Sequence, residues 1–373
     1  MTDVAVVVIR SAAIRHNLKR LRSAAPGCRF MAVVKANAYG HGIEAIAELL
    51  DDVDALGVAR VAEGERLRNA GSKQRIVVLE GCGTAEELEV AIANQLDIVV
   101  HDPVHFELLA RVKSSELIKV WLKLDTGMGR LGFSADQFAT CMNFLNSNDA
   151  VKKPIQVMTH LACADDVDNP MTAEQVRSFG AALDTGNGSF DGDISIANSA
   201  ALLSWPQSLE PSVELNYRGD NWVRPGAAIF GVSPLLGKSA RDLDLRPAMQ
   251  FESQLIAVKT IAKGDGVGYG SIWRAPRDTA VGIVAVGYGD GYPRQLPEGT
   301  PVLISDRRAA LIGRVSMDMI SVDLTDIPVA GVGDRAILWG DQLPIEEIAS
   351  RAGTISYELM CGITDRVVQR YVD

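Results

Sequence analysis

Six side chains able to do acid, base or anion chemistry lie at or shortly beyond the ends of apolar segments of the chain: Lys35, Lys123 and then Arg130, His160, Ser199 and Arg224. Most are cations, and a group of cations suits an anionic ligand, most simply a phosphate together with a carboxylate. An amine removed from water and crowded by other cations loses its proton more readily, which makes Lys35 a candidate nucleophile toward an aldehyde. An aldehyde that also carries a phosphate is pyridoxal 5′-phosphate. The Ser199 hydroxyl, backbone N–H groups at Gly226 and Ala227, and Tyr39, four residues beyond the lysine, are candidates to hold that phosphate. Taken singly, Lys35 also reads as a solvated lysine and His160 as a satisfied core histidine. What matters is whether one architecture presents them all together.

Hydrophobic period supplies that architecture. Short apolar runs alternate with amphipathic segments from about residue 30 to about 230. The candidate strands are Phe30 to Lys35, Ala55 to Ala59, Ile76 to Leu79, Asp97 to Val100, Lys119 to Leu124, Ile155 to His160, Asp193 to Asn198 and Asn221 to Arg224. Helix-like stretches such as "IEAIAELLDD", "RVAEGERLRNAG", "AEELEVAIAN" and "AEQVRSFGAALD" lie between them. Eight strands alternating with helices over this length predict a (β/α)8 barrel of the TIM type across residues 12–235. Barrels keep their chemistry at the C-terminal ends of the strands, where the six residues fall.

From residue 236 to 373 the pattern changes to strand-like runs separated by turns, "QLIAVKTIA", "TAVGIVAVGYG", "PVLISD", "AALIGRVSMDMISVDL" and "RAILWG", with "PIEEIASRAG" as the clear helix. This predicts a mostly antiparallel β domain, joined by the N-terminal strand 3–11, which has no place in the barrel. "DTGNGSFDGD" reads as a flexible loop.

Composition bounds the function. The 373 residues carry a net charge of -10 without any block of Lys or Arg, which argues against a nucleic-acid or anionic-membrane partner. No run approaches the roughly 18 apolar residues of a membrane span. Asp3 stands where a secretory signal would carry positive charge, and the five cysteines form no CxxC pair, so a cytoplasmic home is expected. His101 and His105 flank Pro103 with no third ligand in view, so no metal site is expected.

The motifs carry a resemblance across nearly the whole chain. "VVKANAYGHG" (Val33 to Gly42), "KLDTGMGRLG" (Lys123 to Gly132), "MTHLA" (Met158 to Ala162) and "ANSAA" (Ala197 to Ala201) are similar to motifs of the alanine racemases, fold-type III pyridoxal phosphate enzymes. So are "NWVRPGAAIFG" (Asn221 to Gly231), "GVGYGS" (Gly266 to Ser271), "VGYGDGYPR" (Val286 to Arg294), "GRVSMDM" (Gly313 to Met319) and "SYELMC" (Ser356 to Cys361), in the family's order.

The resemblance implies that Lys35 is the Schiff-base lysine and that Tyr269 is the second acid/base, reaching the lysine of the other subunit in a head-to-tail homodimer. It implies that Arg224 faces the pyridine nitrogen, that His160 links Arg224 to Tyr269, and that Arg130 contacts the cofactor's phenolic oxygen and the substrate carboxylate. Tyr39, Ser199, Gly226, Ala227 and Tyr357 would hold the phosphate, and Met317 would offer its backbone N–H to the substrate. Lys123 matches a position that is carbamylated in some members. The implied reaction interconverts L-alanine and D-alanine, the latter a peptidoglycan precursor.

The chemistry of racemisation is consistent with such roles. A proton leaves one face of the substrate's Cα and another arrives on the opposite face, so two bases must flank it. Lys and Tyr are weak bases at neutral pH, with ordinary pKa values of about 10.4 and about 10, and each needs a cationic surrounding to lose its proton. Three rival readings stay open on sequence: a broader-specificity or serine racemase, a decarboxylase of the same fold type, and a noncatalytic pyridoxal phosphate binding protein. Tyr288 and Tyr357 are expected to crowd a substrate side chain larger than methyl.

Overall fold

The computed structural model describes residues 4–112, 117–184, 190–209 and 217–373. Asp3 and much of the loop expected over "DTGNGSFDGD" lie outside the described residues. After strand β1 (Val6–Arg10), the barrel strands are β2 (Arg29–Val33), β3 (Ala55–Val58), β4 (Arg75–Val78), β5 (Leu96–Val100), β6 (Ile118–Lys123), β7 (Val151–Met158), β8 (Ile194–Asn198) and β9 (Asn221–Arg224). They pair in sequence order, all parallel, and β9 returns to β2 through Arg29 and Trp222 to close the ring. The expected (β/α)8 barrel is present.

Alternation within each strand sorts the core into two layers. Met31, Ala55, Val77, Val99, Trp121, Met158 and Trp222, drawn from β2 to β7 and β9, form a separate buried cluster that fills the barrel interior. Their strand neighbours Ala32, Leu56, Ile76 and Ile98 join the larger core under the helices. Arg75 lies over the rings of Trp121 and Trp222 at 5.4 and 5.0 Å and pairs with the buried Asp97 at 2.6 Å. These contacts come from the starts of β4 and β5, so the N-terminal end of the barrel is packed and the C-terminal end is left for chemistry.

The second unit contains β10 (Met249–Ile261), β11 (Gly266–Val267), β12 (Trp273–Arg274), β13 (Thr279–Val284), β14 (Pro301–Ile304), β15 (Arg307–Ile312), β16 (Ile320–Asp323), β17 (Arg335–Trp339) and β18 (Val368–Val372). Eight strands, including β1, run in the order β13-β16-β15-β14-β17-β10-β1-β18, while β11 and β12 form a separate hairpin. The long β10 also pairs with β13, so part of the sheet curls back on itself. Pairings are antiparallel except β1 with β18, which run parallel. β18 escaped the pattern reading because almost none of its residues is buried, and a strand without a buried face has no apolar period. A short helix, Ser356–Cys361, occupies the "SYELMC" motif.

Candidate active site

Strand β2 ends at Val33, two residues before the sequence reading placed its end, and Lys35 opens a turn of unusual hand. Ala36, Asn37, Ala38 and Tyr39 all lie in the left-handed helical region, with φ of 53 to 54°. L-residues pay about 1–2 kcal/mol each there, so the turn stores roughly 4–8 kcal/mol and survives only because its surroundings over-determine it. Ala38 N–H donates to Val34 O at 2.8 Å, Gly42 N–H to Asn37 O at 3.0 Å, and Ile43 N–H to Asn37 Oδ1 at 3.0 Å. His41 closes the far end. It is fully buried, its ring stacks on Phe230 at 4.3 Å, and its Nδ1 lies 3.0 Å from the carbonyls of both Ala38 and Tyr39. Two acceptors at Nδ1 assign the proton to that nitrogen. Burial, opposed by these two bonds, draws the imidazole down to about 4.

The same turn delivers Tyr39 to the end of β9. Its ring packs against Phe230 and, edge-on, against Tyr357, with centroids 5.3 and 6.2 Å apart. A Cβ on Gly226 would sit 2.5 Å from the Tyr39 hydroxyl, and Gly226 N–H donates to Ser199 Oγ at 2.9 Å. Tyr39, Ser199 and Gly226 therefore form one cradle of small polar groups, with Ala227 opening the 3-10 turn Ala227–Phe230 beside it. Burial holds the Tyr39 hydroxyl well above its ordinary range and pushes Tyr357 up to about 12, so both remain donors. The helix carrying Tyr357 backs directly onto the turn: a Cβ on Gly40 would lie 2.1 Å from Met360 O.

Arg224 is buried, and among the described residues none of its hydrogen-bond partners is a carboxylate. It donates to Ser195 Oγ, to Thr159 O at 2.5 Å and to Ile196 O at 3.3 Å, and its Nη2 lies 3.4 Å from His160 Nδ1. Burial draws the guanidinium down to about 10, which leaves it charged at neutral pH. Its neighbours respond to that charge. His160 is held well below 6.5 by burial and then by Arg224, Lys123, Arg130 and Lys35, so its imidazole is neutral and accepts from Arg224. Lys123 is drawn down to about 8 by burial and then by Arg224, Arg130 and Lys35, with Asp125 opposing. Lys123, Asp125, Met128, Arg130 and His160 converge on a gap too narrow to admit a water molecule. An open cavity of 460 Å³ lies beside it, sharing Asp125 and Arg130 and reaching His101 and His105.

Sequence reasoning missed two organisers of this rim. Asp125 Oδ1 accepts from the N–H groups of Gly127, Met128 and Gly129 at 2.9, 2.9 and 3.1 Å, shaping the loop that carries Arg130. The signal was present as "DTGMG", an aspartate followed by glycines, a pattern that favours an Asx turn. His41 had no such signal, since its role depends on Phe230 from the other side of the barrel seam. The histidine pair His101 and His105 binds the backbone carbonyls of Glu80 and Asp102, and no group of three metal-ligating side chains occurs among the described residues.

The structure thus gathers Lys35, Tyr39, Lys123, Arg130, His160, Ser199, Arg224, Gly226, Ala227 and Tyr357 at one end of the barrel. Tyr269 and Met317 stand apart from them. Tyr269 is 69% exposed on a turn held by Gly268 and Gly270 at positive φ, and it makes no hydrogen bond to the rim among the described residues. Met317 and Tyr288 are also exposed, on loops tied together by Tyr288 N–H to Ser316 O at 3.0 Å and Gly289 N–H to Met317 O at 2.8 Å. The link from His160 toward Arg224 is present within the chain; the link onward to Tyr269 is not.

Residues 9–234 match the family described as alanine racemase, N-terminal domain, and residues 248–371 match alanine racemase, C-terminal domain. The alanine racemase of Shewanella amazonensis is 47% identical over 365 residues, covering 96% of each chain. That of Shewanella loihica is 46% identical over 355 residues, covering 95% of each. Among solved structures, the biosynthetic alanine racemase from Pseudomonas aeruginosa superposes with a TM-score of 0.92 at 41% identity, covering all of both chains. The alanine racemase from Acinetobacter baumannii gives 0.89 at 35% identity, again over all of both chains.

Proposed function

The chain belongs to the alanine racemase family, isomerases that interconvert L-alanine and D-alanine, and from that premise we propose that Lys35 and Tyr269 are its two bases and pyridoxal 5′-phosphate its cofactor. The observation that carries this reading is the single cationic rim in which Lys35, Arg224 and Lys123 meet a cradle made by Tyr39, Ser199 and Gly226. That donor set fits a phosphorylated aldehyde: hydroxyls and backbone N–H for the phosphate, an amine for the carbonyl, and a guanidinium with no acid partner. When bound, the cofactor supplies an electron-accepting ring that lowers the barrier to losing the substrate's Cα proton.

The protein's part is to place proton carriers and charges. Lys35 Nζ takes or returns the proton on one face of Cα, and Tyr269 Oη does so on the other. Arg224, charged at neutral pH, would face the pyridine nitrogen of a bound cofactor and would disfavour its protonation. That choice weakens the ring's pull on electrons and favours return of the proton over transamination. Arg130 and the Met317 N–H receive the substrate carboxylate. Tyr357 joins the phosphate cradle with Ala227. Lys123, drawn down to about 8, has enough free amine near neutral pH for its nitrogen to add to carbon dioxide with loss of one N–H proton to water, and the resulting carbamate anion would orient Arg130.

The exposure of Tyr269, Tyr288 and Met317 on one edge of the β unit supports a head-to-tail homodimer in which that edge covers the partner's rim. The division of labour is then a cofactor-binding barrel, 12–235, and a β unit, 236–373 with the N-terminal strand, that supplies the second base. Among the described residues no helix is long and apolar enough to cross a membrane, and the expected location is the cytoplasm. Replacing Tyr269 by Phe tests the two-base assignment: racemisation is expected to fall at least about a hundredfold with the cofactor absorbance near ~420 nm retained. Unchanged turnover would sink it.

A further inference from the structure

Resting on the reading of Lys35 as the cofactor-bearing amine, we propose that Glu63 is a positioning residue for that amine, acting through the backbone rather than by touching the reacting atoms. Glu63 belongs to the first turn of the helix Val61–Asn69, which follows β3. Its carboxylate caps the start of its own helix, whose N-cap is Arg60, and also reaches across to the loop that follows Lys35. Oε1 accepts from Ala36 N–H at 2.7 Å, while Oε2 accepts from Ala59 N–H at 2.8 Å and Arg60 N–H at 3.2 Å.

Ala36 N–H belongs to the peptide unit that leaves Lys35, and Ala36 is the first of the left-handed residues. On the upstream side, Val34 N–H is fixed to Gly57 O at 2.8 Å and Val33 N–H to Pro225 O at 2.8 Å, so the barrel ladder holds the chain as far as Lys35. Beyond Lys35 the ladder stops, and the Ala36 N–H is taken by Glu63. The Lys35 Cα is therefore anchored from both sides, by β3 before it and by a carboxylate rooted at the end of the same β3 after it. Without the second anchor the Lys35–Ala36 peptide loses its fixed orientation, which would swing the direction in which the Lys35 side chain leaves the backbone, while the bonds from Ala38, Gly42 and Ile43 still hold the rest of the turn.

A carboxylate is the group this arrangement requires. It offers acceptor lone pairs on both oxygens and no donor, which matches three converging N–H groups. In Glu63→Gln one oxygen is replaced by an NH2 that must face N–H donors, so only one side of the bridge survives. Glu63→Ala removes both. The order of effect is wild type, then Gln, then Ala.

The experiment measures hydrogen exchange of the Ala36 amide in cofactor-free protein, the rate at which pyridoxal phosphate with borohydride labels Lys35, and kcat and KM for alanine. For Glu63→Ala we expect Ala36 exchange and Lys35 labelling each to change at least tenfold, the first faster and the second slower. We expect kcat to fall tenfold or more with KM nearly constant, and Gln to restore part of each. If Ala does not fold, Gln carries the test on its own. Unchanged Ala36 exchange, or unchanged labelling in a variant of a wild type that labels at Lys35, overturns the proposal. A wild type that is not labelled at Lys35 overturns the reading of the lysine itself and the proposal with it.

Discussion

At the scale of single residues, burial decides which groups at the rim carry charge. Arg224 is the one whose ordinary pKa is high enough to survive desolvation, and it then suppresses charge on its neighbours His160 and Lys123. His41, buried away from those cations, is neutral for desolvation alone. Its depressed value makes a signed prediction. Below its ordinary 6.5 the unfolded chain binds a proton that the folded chain refuses until about 4. Stability is thus complete above about pH 6.5 and falls through that window, by about 3 kcal/mol at its lower end. His41→Gln should flatten that part of a melting-temperature profile between pH 7 and pH 4; a parallel profile would contradict the account. Lys35, Lys123, His160 and Arg224 could be picked out from sequence because each ends an apolar run. His41 and Glu63 could not, since a polar residue in a loop or on a helix's first turn has many ordinary uses.

Among elements, the left-handed turn from Ala36 to Tyr39 does the positioning that a simple strand end would not. It was invisible in sequence: alanine and tyrosine do not favour positive φ, and the hand is imposed by contacts with His41, Phe230 and the helix Ser356–Cys361. The strand-end reading put Lys35 at the rim correctly but gave the wrong backbone for it. Close approach between β9 and this turn rests on Gly226, where a side chain would have no room. Gly226→Ala would push a methyl onto the Tyr39 hydroxyl, an overpacking that costs about 1–3 kcal/mol. We expect the fold to hold and pyridoxal phosphate affinity, read by fluorescence titration of the cofactor-free protein, to fall at least about tenfold. Wild-type affinity would show that the cradle is not where the phosphate binds.

For the whole molecule, the proposed division of the two bases between subunits would make assembly part of the chemistry. If Tyr269 serves a partner, Lys35→Ala and Tyr269→Phe chains are each inactive alone, yet mixing them rebuilds one intact site in every heterodimer. Random pairing then restores about one quarter of wild-type activity per chain. No recovery after co-expression, with heterodimers verified by differential tags, would place both bases in one chain. The sequence by itself determined the barrel, the β unit and most of the rim, because apolar period reports which face of each segment is buried and barrel chemistry sits at strand ends. Only the tertiary structure decided the hand of the turn after Lys35, the neutrality of His160, the partial discharge of Lys123, the anchoring of Ala36 by Glu63, and the separation of Tyr269 from the rim. These depend on how groups distant in the sequence are placed in space, and local pattern carries no record of that placement.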